Sequence, residues 1–257
     1  MLGRLLSRKR KPEAEAPADT VVYAVGDIHG HLDLLVRLQY RIKEDMARRK
    51  ASRKVVVYLG DYVDRGPESR NLIDHLIRNP LDGFESIHLA GNHERWMVGF
   101  LNNPDGGRPW LRWGGAETMH SYGVPMPNTD DPASLAAASE TLAKKLPASH
   151  RRFLENLPLC HTEGDYFFTH AGVRPGVPLD EQSDEDLTWI REEFLYSKAD
   201  FGKMIVHGHT PTHTPEEHRN RIAIDTGAYM SGILTAVALE GSCLLYTSDA
   251  ADDRDSV

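Results

Sequence analysis

Apolar positions along this chain fall into two periods. VVYAVG (21–26) is an unbroken apolar run ending in glycine, the pattern of a strand buried on both faces. Residues 31–50 follow with Leu35, Leu38, Ile42 and Met46 at three- and four-residue steps, which predicts a helix. VVVYLG (55–60) predicts a second buried strand, rich in β-branched residues. NLIDHLI (71–77) places Leu72, Ile73, Leu76 and Ile77 on one helical face, and SIHLAGN (86–92) is strand-like again. Three strands alternating with two helices predict a βαβαβ unit with a parallel sheet. Residues 95–165 are less regular. Pro104, Gly106, Gly107, Pro109, Gly114 and Gly115 punctuate a loop-rich stretch that carries Trp96, Trp110 and Trp113. Residues 133–146 and 150–157 read as helices. Strands resume at 165–170, 203–208, 221–227 and 233–239, with one helix around 186–195. The pattern contains no repeat, and the class is α/β with a β-rich second half.

The length of 257 residues suits one large domain. At 40% hydrophobic and 26% charged, the chain groups with folded soluble proteins and not with disordered ones. No run approaches the ~18 apolar residues of a membrane span. Two cysteines, Cys160 and Cys243, exclude a disulfide scaffold and a four-cysteine zinc site, which points to a reducing, cytoplasmic setting. The net charge of −8 is unevenly spread. Residues 1–11 carry five positive charges and no acids, and 243–257 carry four aspartates against one arginine, so the body between is more acidic than the net value suggests. An acidic body does not suit a protein that grips nucleic-acid backbones. The basic start followed by PEAEAPAD reads as a solvated tail over 1–20, ahead of a domain over 21–242. CLLYTSDAADD (243–253) resembles a translated sequencing-library adapter, so 243–257 is expected to be foreign to the fold.

Metal-ligand residue types recur immediately after the buried strands. Gly26-Asp27-Ile28-His29-Gly30 follows the first, Gly60-Asp61-Tyr62-Val63-Asp64-Arg65-Gly66 the second, and Gly91-Asn92-His93-Glu94 the third. Later strands end in Thr169-His170-Ala171-Gly172 and His207-Gly208-His209-Thr210. In α/β sheets the carboxyl ends of strands converge on one crevice, the usual ligand site. One such motif means little, because Gly-Asp pairs are common turn elements. Five together bring Asp, His and Asn side chains to one place. Imidazole, carboxylate and amide donors suit manganese, iron or zinc, whereas calcium prefers all-oxygen shells. One carboxylate shared between two ions would hold them ~3.5–4 Å apart, the spacing of two-metal phosphoryl-transfer sites.

GDIHG, GDYVDRG, GNHE, HAG and HGHT, in this order over about residues 21–239, resemble the phosphoprotein phosphatase branch of the calcineurin-like metallophosphoesterases. WLRWGGAETMHSYGV (110–124) and DLTWIREEFL look similar to bacterial members. The resemblance implies a central β-sandwich of mixed sheets flanked by helices. It implies a metal-dependent phosphatase that removes phosphate by direct attack of a metal-bridging hydroxide. Asp27 and His29 match ligands of one ion, Asp61 the bridging ligand, and Asn92, His170 and His209 ligands of the second, with manganese the expected metal. His207 would be a neighbour. Arg65 and Arg191 match the arginines that clamp phosphate, with Asn92 also facing substrate. His93 matches the general acid and Asp64 the carboxylate that orients it. Two substrates are implied: phosphoserine or phosphothreonine in proteins, and, as the alternative, dinucleoside polyphosphates cleaved symmetrically. Glu94 reads as a cap or as support for the ligands, His31 as a helix start or a site residue, and Asp225 as structural or site-lining. Trp96, Trp110 and Trp113 read as core, or as a substrate platform. Cys160 reads as an apolar filler.

Overall fold

The computed structural model describes residues 14–240 and 242–248, the last seven as backbone alone. Its first third runs β1 (Thr20–Val25), α1 (Leu32–Met46), β2 (Arg53–Tyr58), α2 (Ser69–Arg78), β3 (Glu85–His88) and α3 (Asn92–Asn102). A largely helical middle follows: α4 (Arg108–Trp110), a π-turn over 111–115, α5 (Ala116–Ser121), α6 (Pro132–Lys145) and α7 (Ala148–Glu155). The last part holds β4 (Cys160–Glu163), β5 (Tyr166–Thr169), α8 (Asp184–Trp189), α9 (Glu192–Leu195), β6 (Met204–His207), β7 (Glu216–Glu217), β8 (Arg221–Ala223), α10 (Ala228–Ser231), β9 (Leu234–Glu240) and β10 (Ser242–Ser248).

These strands form two five-stranded mixed sheets, ordered β10-β9-β1-β2-β3 and β4-β5-β6-β8-β7. As the βαβαβ pattern predicts, β1, β2 and β3 are parallel neighbours. In the second sheet β5, β6 and β8 are parallel. Val22, Ala24, Val55 and Val57 meet Phe168, Val206 and Ile222 between the sheets. The alternate residues Val21, Tyr23, Val25 and Val56 pack with Leu35, Leu38 and Ile42 of α1 on the outer face. Both faces of β1 are thus covered, which is why VVYAV is apolar throughout. Each such fully buried aliphatic side chain contributes about 1.5–3 kcal/mol. Phe167 and Ile205 face outward from the second sheet, under Leu187 and Phe194.

The structure departs from the sequence pattern in several places: β4 and β7 add strands to it, and the strand expected over 221–227 ends at Ala223. NHERWMVGFLN forms α3, buried through Met97 and Phe100, although Gly99 weakens its helical signature. The helix expected around 186–195 is two, broken at Arg191 (φ −130°, ψ −95°). The tail expected over 1–20 is docked from residue 14 onward. Tyr166 Oη donates to Ala14 O at 2.9 Å and the Asp165 amide to Glu15 O at 2.9 Å. Residues 1–13 lie outside the described residues. Finally, Ser242–Ser248 pairs antiparallel with β9 within the sheet, where the sequence reading placed foreign chain from 243. An exposed strand edge offers unpaired N–H and C=O groups to any β-competent segment, so pairing there is independent of where the segment comes from.

Candidate metal centre

The strand ends deliver their side chains through unusual backbone. His29, Asp61, Asp64, Arg65 and His209 all have positive φ, between 46° and 75°. Asp19 is the one other non-glycine with positive φ among the described residues. This conformation costs on the order of 1–3 kcal/mol per residue and clusters where function over-determines the backbone. Two glycines make room. A Cβ at Gly91 would run into the Asp61 carboxylate, and one at Gly208 into Asp27.

Two triads share Asp61. His29, Asp61 and His93 each present a ligand atom within 4.8 Å of the others, and so do Asp61, His170 and His209; all five residues are buried. His29 Nδ1–H donates to Val63 O at 2.9 Å, and His170 Nδ1–H to Leu59 O at 2.9 Å. Each bond fixes the tautomer and leaves Nε2 facing Asp61 Oδ2, at 3.4 Å in both cases. Asn92 Oδ1 and His209 Nδ1 lie 2.9 and 3.2 Å from His170 Nε2. Of the six ligand positions, Asp27 alone stands outside this geometry. It is 2% exposed, and its carboxylate accepts the His209 amide at 3.0 Å.

The electrostatics favour cations. Burial pushes the Asp27 carboxyl up, and neighbouring Asp225 and Asp61 push it further. Burial also opposes the Asp61 anion, but His170 and His93 outweigh it and hold Asp61 well below the usual range. Burial holds His29 and His209 well below the usual imidazole range, which is the neutral, ligating form. Asp61 and Asp27 overcome burial at His170 and raise it to about 10, so this nitrogen attracts positive charge strongly. Carbonyl-anchored imidazoles, a shared buried carboxylate and an amide oxygen together fit two divalent ions.

Beside the triads lies a second unit. His93 Nδ1–H donates to Asp64 Oδ2 at 2.6 Å. Asp64 is fully buried and also accepts from Trp110 Nε1 at 2.8 Å and Thr118 Oγ1 at 2.6 Å. Thr118 and Ser69 accept the Asp64 amide in turn. Trp110 and Thr118 therefore have a role that the sequence reading missed. Their signal was an indole and a hydroxyl within WLRWGGAETMHSYGV, eight residues apart around a π-turn that no periodicity predicts. Arg65 places its two terminal nitrogens 3.0 Å from His29 Nε2 and 3.1 Å from His93 Nε2. Its guanidinium lies over Tyr229, 4.3 Å from the ring centroid, and Tyr229 also meets His29 edge-on. Tyr229 was not foreseen. Arg191 is exposed, and its Nη1 donates to Thr210 Oγ1 at 3.2 Å; its charge helps hold His209 down.

Glu94 performs both of its suggested roles. Oε2 accepts from the Gly91 amide at the start of α3 and from the Asp61 amide, at 2.9 Å each. Oε1 accepts from Tyr62 and Val63. One carboxylate thus holds the whole 61–63 turn. Glu94→Gln would set an NH₂ group against amide donors. It is expected to cost about 3 kcal/mol, because buried donors lose their acceptor. A denaturant midpoint unchanged from the parent would refute this role.

The remaining expectations divide. His31 sits at the start of α1, and its Nδ1 donates to His29 O at 2.6 Å. Asp225 is 2% exposed and accepts the Gly227 amide at 2.8 Å while adding charge beside Asp27. Trp96 is half-buried, Trp110 buried and Trp113 62% exposed. Trp96 packs edge-on to His93 and to Trp189, and Trp189 to His209, which forms an aromatic wall across both triads. His207 ligates nothing in this geometry; burial pushes it down to about 3. Cys160 is half-buried against Phe167 and Phe194.

Known proteins share this layout. Residues 20–232 match the family model for calcineurin-like phosphoesterases. A bis(5'-nucleosyl)-tetraphosphatase PrpE [asymmetrical] from Halalkalibacterium halodurans is 25% identical over 238 residues, covering 83% of this chain and 87% of that one. A cold-active protein-tyrosine phosphatase from a psychrophilic Shewanella superposes with a TM-score of 0.61 at 18% identity, over 91% of this chain and 83% of that one. A yeast protein serine/threonine phosphatase similar to human PP5 gives 0.51 at 15%, over 93% and 82%. At such identities the two structures speak for the fold alone. The chain belongs to the calcineurin-like phosphoesterase family and is a metal-dependent hydrolase of phosphoester or phosphoanhydride bonds.

Proposed function

We propose that this chain hydrolyses dinucleoside polyphosphates at a two-metal centre. The observation that carries the choice is the Trp96–Trp189 wall, whose rings abut both His93 and His209. A planar base stacks on such a face, at about 1–3 kcal/mol per base. A phosphoserine or phosphothreonine side chain has no planar surface to present there. The relatives named as tetraphosphatases support the same reading. The phosphoprotein reading uses the same core and is the competitor in the test.

In this reading Asp27, His29 and Asp61 hold one ion, and Asp61, Asn92, His170 and His209 the other; manganese is the first metal to load, then iron or zinc. Bound ions supply Lewis-acid pull on phosphate oxygens and an acidified water at neutral pH. Arg65 and Arg191 grip the phosphate oxygens as planar two-donor forks. Glu94 keeps the Asp61 turn rigid. His93, charged and held by Asp64, passes the Nε2 proton to the leaving oxygen. The domain that performs this is placed over 21–242, with residues 14–20 docked on it and β10 extending its first sheet.

The test loads the protein with manganese and compares diadenosine tetraphosphate with a phosphothreonine peptide. A kcat/KM for the dinucleotide more than about tenfold above the peptide is expected. A ratio near one or below it overturns the choice in favour of the phosphoprotein. Product analysis reads the cut: ATP with AMP for asymmetrical cleavage, two ADP for symmetrical.

A further inference from the structure

Arg65 leans on groups that the proposed chemistry needs elsewhere. A guanidinium only donates, so Nη1 at 3.0 Å from His29 Nε2 and Nη2 at 3.1 Å from His93 Nε2 each rest on an imidazole lone pair. His29 Nδ1–H is already given to Val63 O and His93 Nδ1–H to Asp64 Oδ2, which leaves Nε2 as the lone-pair atom in both rings. An ion held by His29 takes the first lone pair, and the proton that His93 delivers sits on the second. Arg65 then gives up both imidazole partners. It forms no ion pair among the described residues, so no carboxylate is there to hold it instead.

What remains is the Tyr229 ring. Arg65 Cζ lies 4.3 Å from the ring centroid, inside the about 6 Å over which an aromatic face attracts a cation. Neither an ion nor a proton on the imidazoles competes for that face. Both sides of the contact are fixed. Arg65 has a left-handed backbone, φ 66°, and its amide donates to Gly114 O at 3.1 Å. A Cβ on Gly114 would come within 2.7 Å of Arg65 Cγ, so the glycine lets the chain lie against the arginine stem. Tyr229 belongs to α10, a single turn between two left-handed glycines, Gly227 (φ 64°) and Gly232 (φ 70°). Asp225 accepts the Gly227 amide at 2.8 Å, and Ser231 Oγ donates to Thr226 O at 2.8 Å. The half-buried ring also meets His29 edge-on, with centroids 5.4 Å apart. Arginine is rich in rotamers, and a guanidinium left to water alone pays for its ordering when it binds phosphate; a ring beneath it lowers that cost.

We infer that Tyr229 is a positioning residue for the phosphate clamp: its ring carries the Arg65 guanidinium once His29 and His93 are engaged, and keeps the two terminal nitrogens available to phosphate oxygens. This rests on the two-metal reading of the centre with Arg65 as clamp, and it holds for either substrate.

Calorimetric titration of orthophosphate into the manganese-loaded full chain, with metal content measured on the same samples, tests it. Tyr229→Leu keeps an apolar side chain beside His29 and removes the aromatic face. It is expected to bind orthophosphate about tenfold more weakly with manganese content unchanged. KM for p-nitrophenyl phosphate should rise by a similar factor, with kcat lowered by less than about threefold. Tyr229→Phe restores the face and is expected to bind within about twofold of the parent. In an Arg65→Ala background, Tyr229→Leu is expected to add no further loss, because the two changes remove one interaction. Equal loss in Tyr229→Leu and Tyr229→Phe would assign the effect to the hydroxyl and overturns the inference. So does a loss that persists in full in the Arg65→Ala background, which would put the ring on the phosphate itself. Reduced manganese in Tyr229→Leu would make the ring a support for His29 and overturns it too. A parent chain that takes up no manganese refutes the two-metal reading, and the inference falls with it. A parent that loads manganese and binds orthophosphate no better than Tyr229→Leu refutes the role of Tyr229 and leaves the two-metal reading standing.

Discussion

Asp61→Asn is expected to empty both metal positions and to lower kcat on the order of 10³-fold or more, beyond the loss of a single oriented donor. Asp61 is the one residue common to the two triads, with Oδ2 within 3.4 Å of both His29 Nε2 and His170 Nε2. An asparagine oxygen can approach one of these partners, but its NH₂ then faces the other. It also brings no negative charge to balance two divalent ions. The backbone consequence is smaller. The Asp61 amide stays with Glu94, and asparagine tolerates the positive φ of 51° at this position. The variant should therefore fold, with circular dichroism close to the parent, while metal analysis after manganese loading finds little bound. Full metal content with wild-type turnover would remove Asp61 from the bridging role.

Most of the fold, and the convergence of His29, Asp61, His93, His170 and His209 on one place, was legible, because both are written at short range. Each of β1, β2, β5 and β6 is a brief apolar run, and its last residues lead straight into a Gly-Asp, His-Ala or Gly-His turn. The fold then superimposes these ends, since parallel strands point their carboxyl ends the same way. What escaped is what depends on distant partners. Trp110 and Thr118 meet Asp64 only because a π-turn, with Gly114 at φ 115°, carries residues 110–118 onto the 64–65 turn. No hydrophobic period encodes a π-turn. Tyr229 reaches Arg65 from α10, far along the chain. Arg191 was found by its motif, but the helix break that exposes it was not, because DLTWIREEFL keeps a continuous helical pattern through the break. His207 shows the reverse case. It has the residue type and the strand-end position of a ligand, yet it lines a cavity that holds none of the expected ligands, and its Nε2 is buried without a hydrogen-bond partner.

His93→Asn is expected to keep both ions and to lose about 10²–10⁴-fold in kcat on alkyl phosphates, the usual yield of a general acid. The loss should shrink towards nothing on p-nitrophenyl phosphate, whose leaving group needs no proton. Diadenosine tetraphosphate should fall between, since a departing nucleotide is a better leaving group than an alkoxide. Asp64→Asn tests the same step through its support. Burial disfavours a charged His93, but Asp61 and the Asp64 hydrogen bond outweigh it and leave the imidazole raised above its usual value. A raised pKa keeps the acid protonated to higher pH, so activity on alkyl phosphates declines as pH rises through that value. Asparagine at 64 removes one of the two raising charges, and the alkaline limb should move to lower pH. Trp110 and His93 donate to one oxygen of Asp64 and Thr118 to the other, so asparagine keeps its oxygen on the first pair and sets its NH₂ against the Thr118 hydroxyl, which can turn to accept; the change is then more of charge than of shape. An alkaline limb that stays in place in Asp64→Asn, or a loss in His93→Asn that is equal for alkyl and nitrophenyl esters, would show that the proton comes from elsewhere. Equal loss for all leaving groups together with missing metal would instead make His93 a ligand, the role its place in the triad with His29 and Asp61 permits.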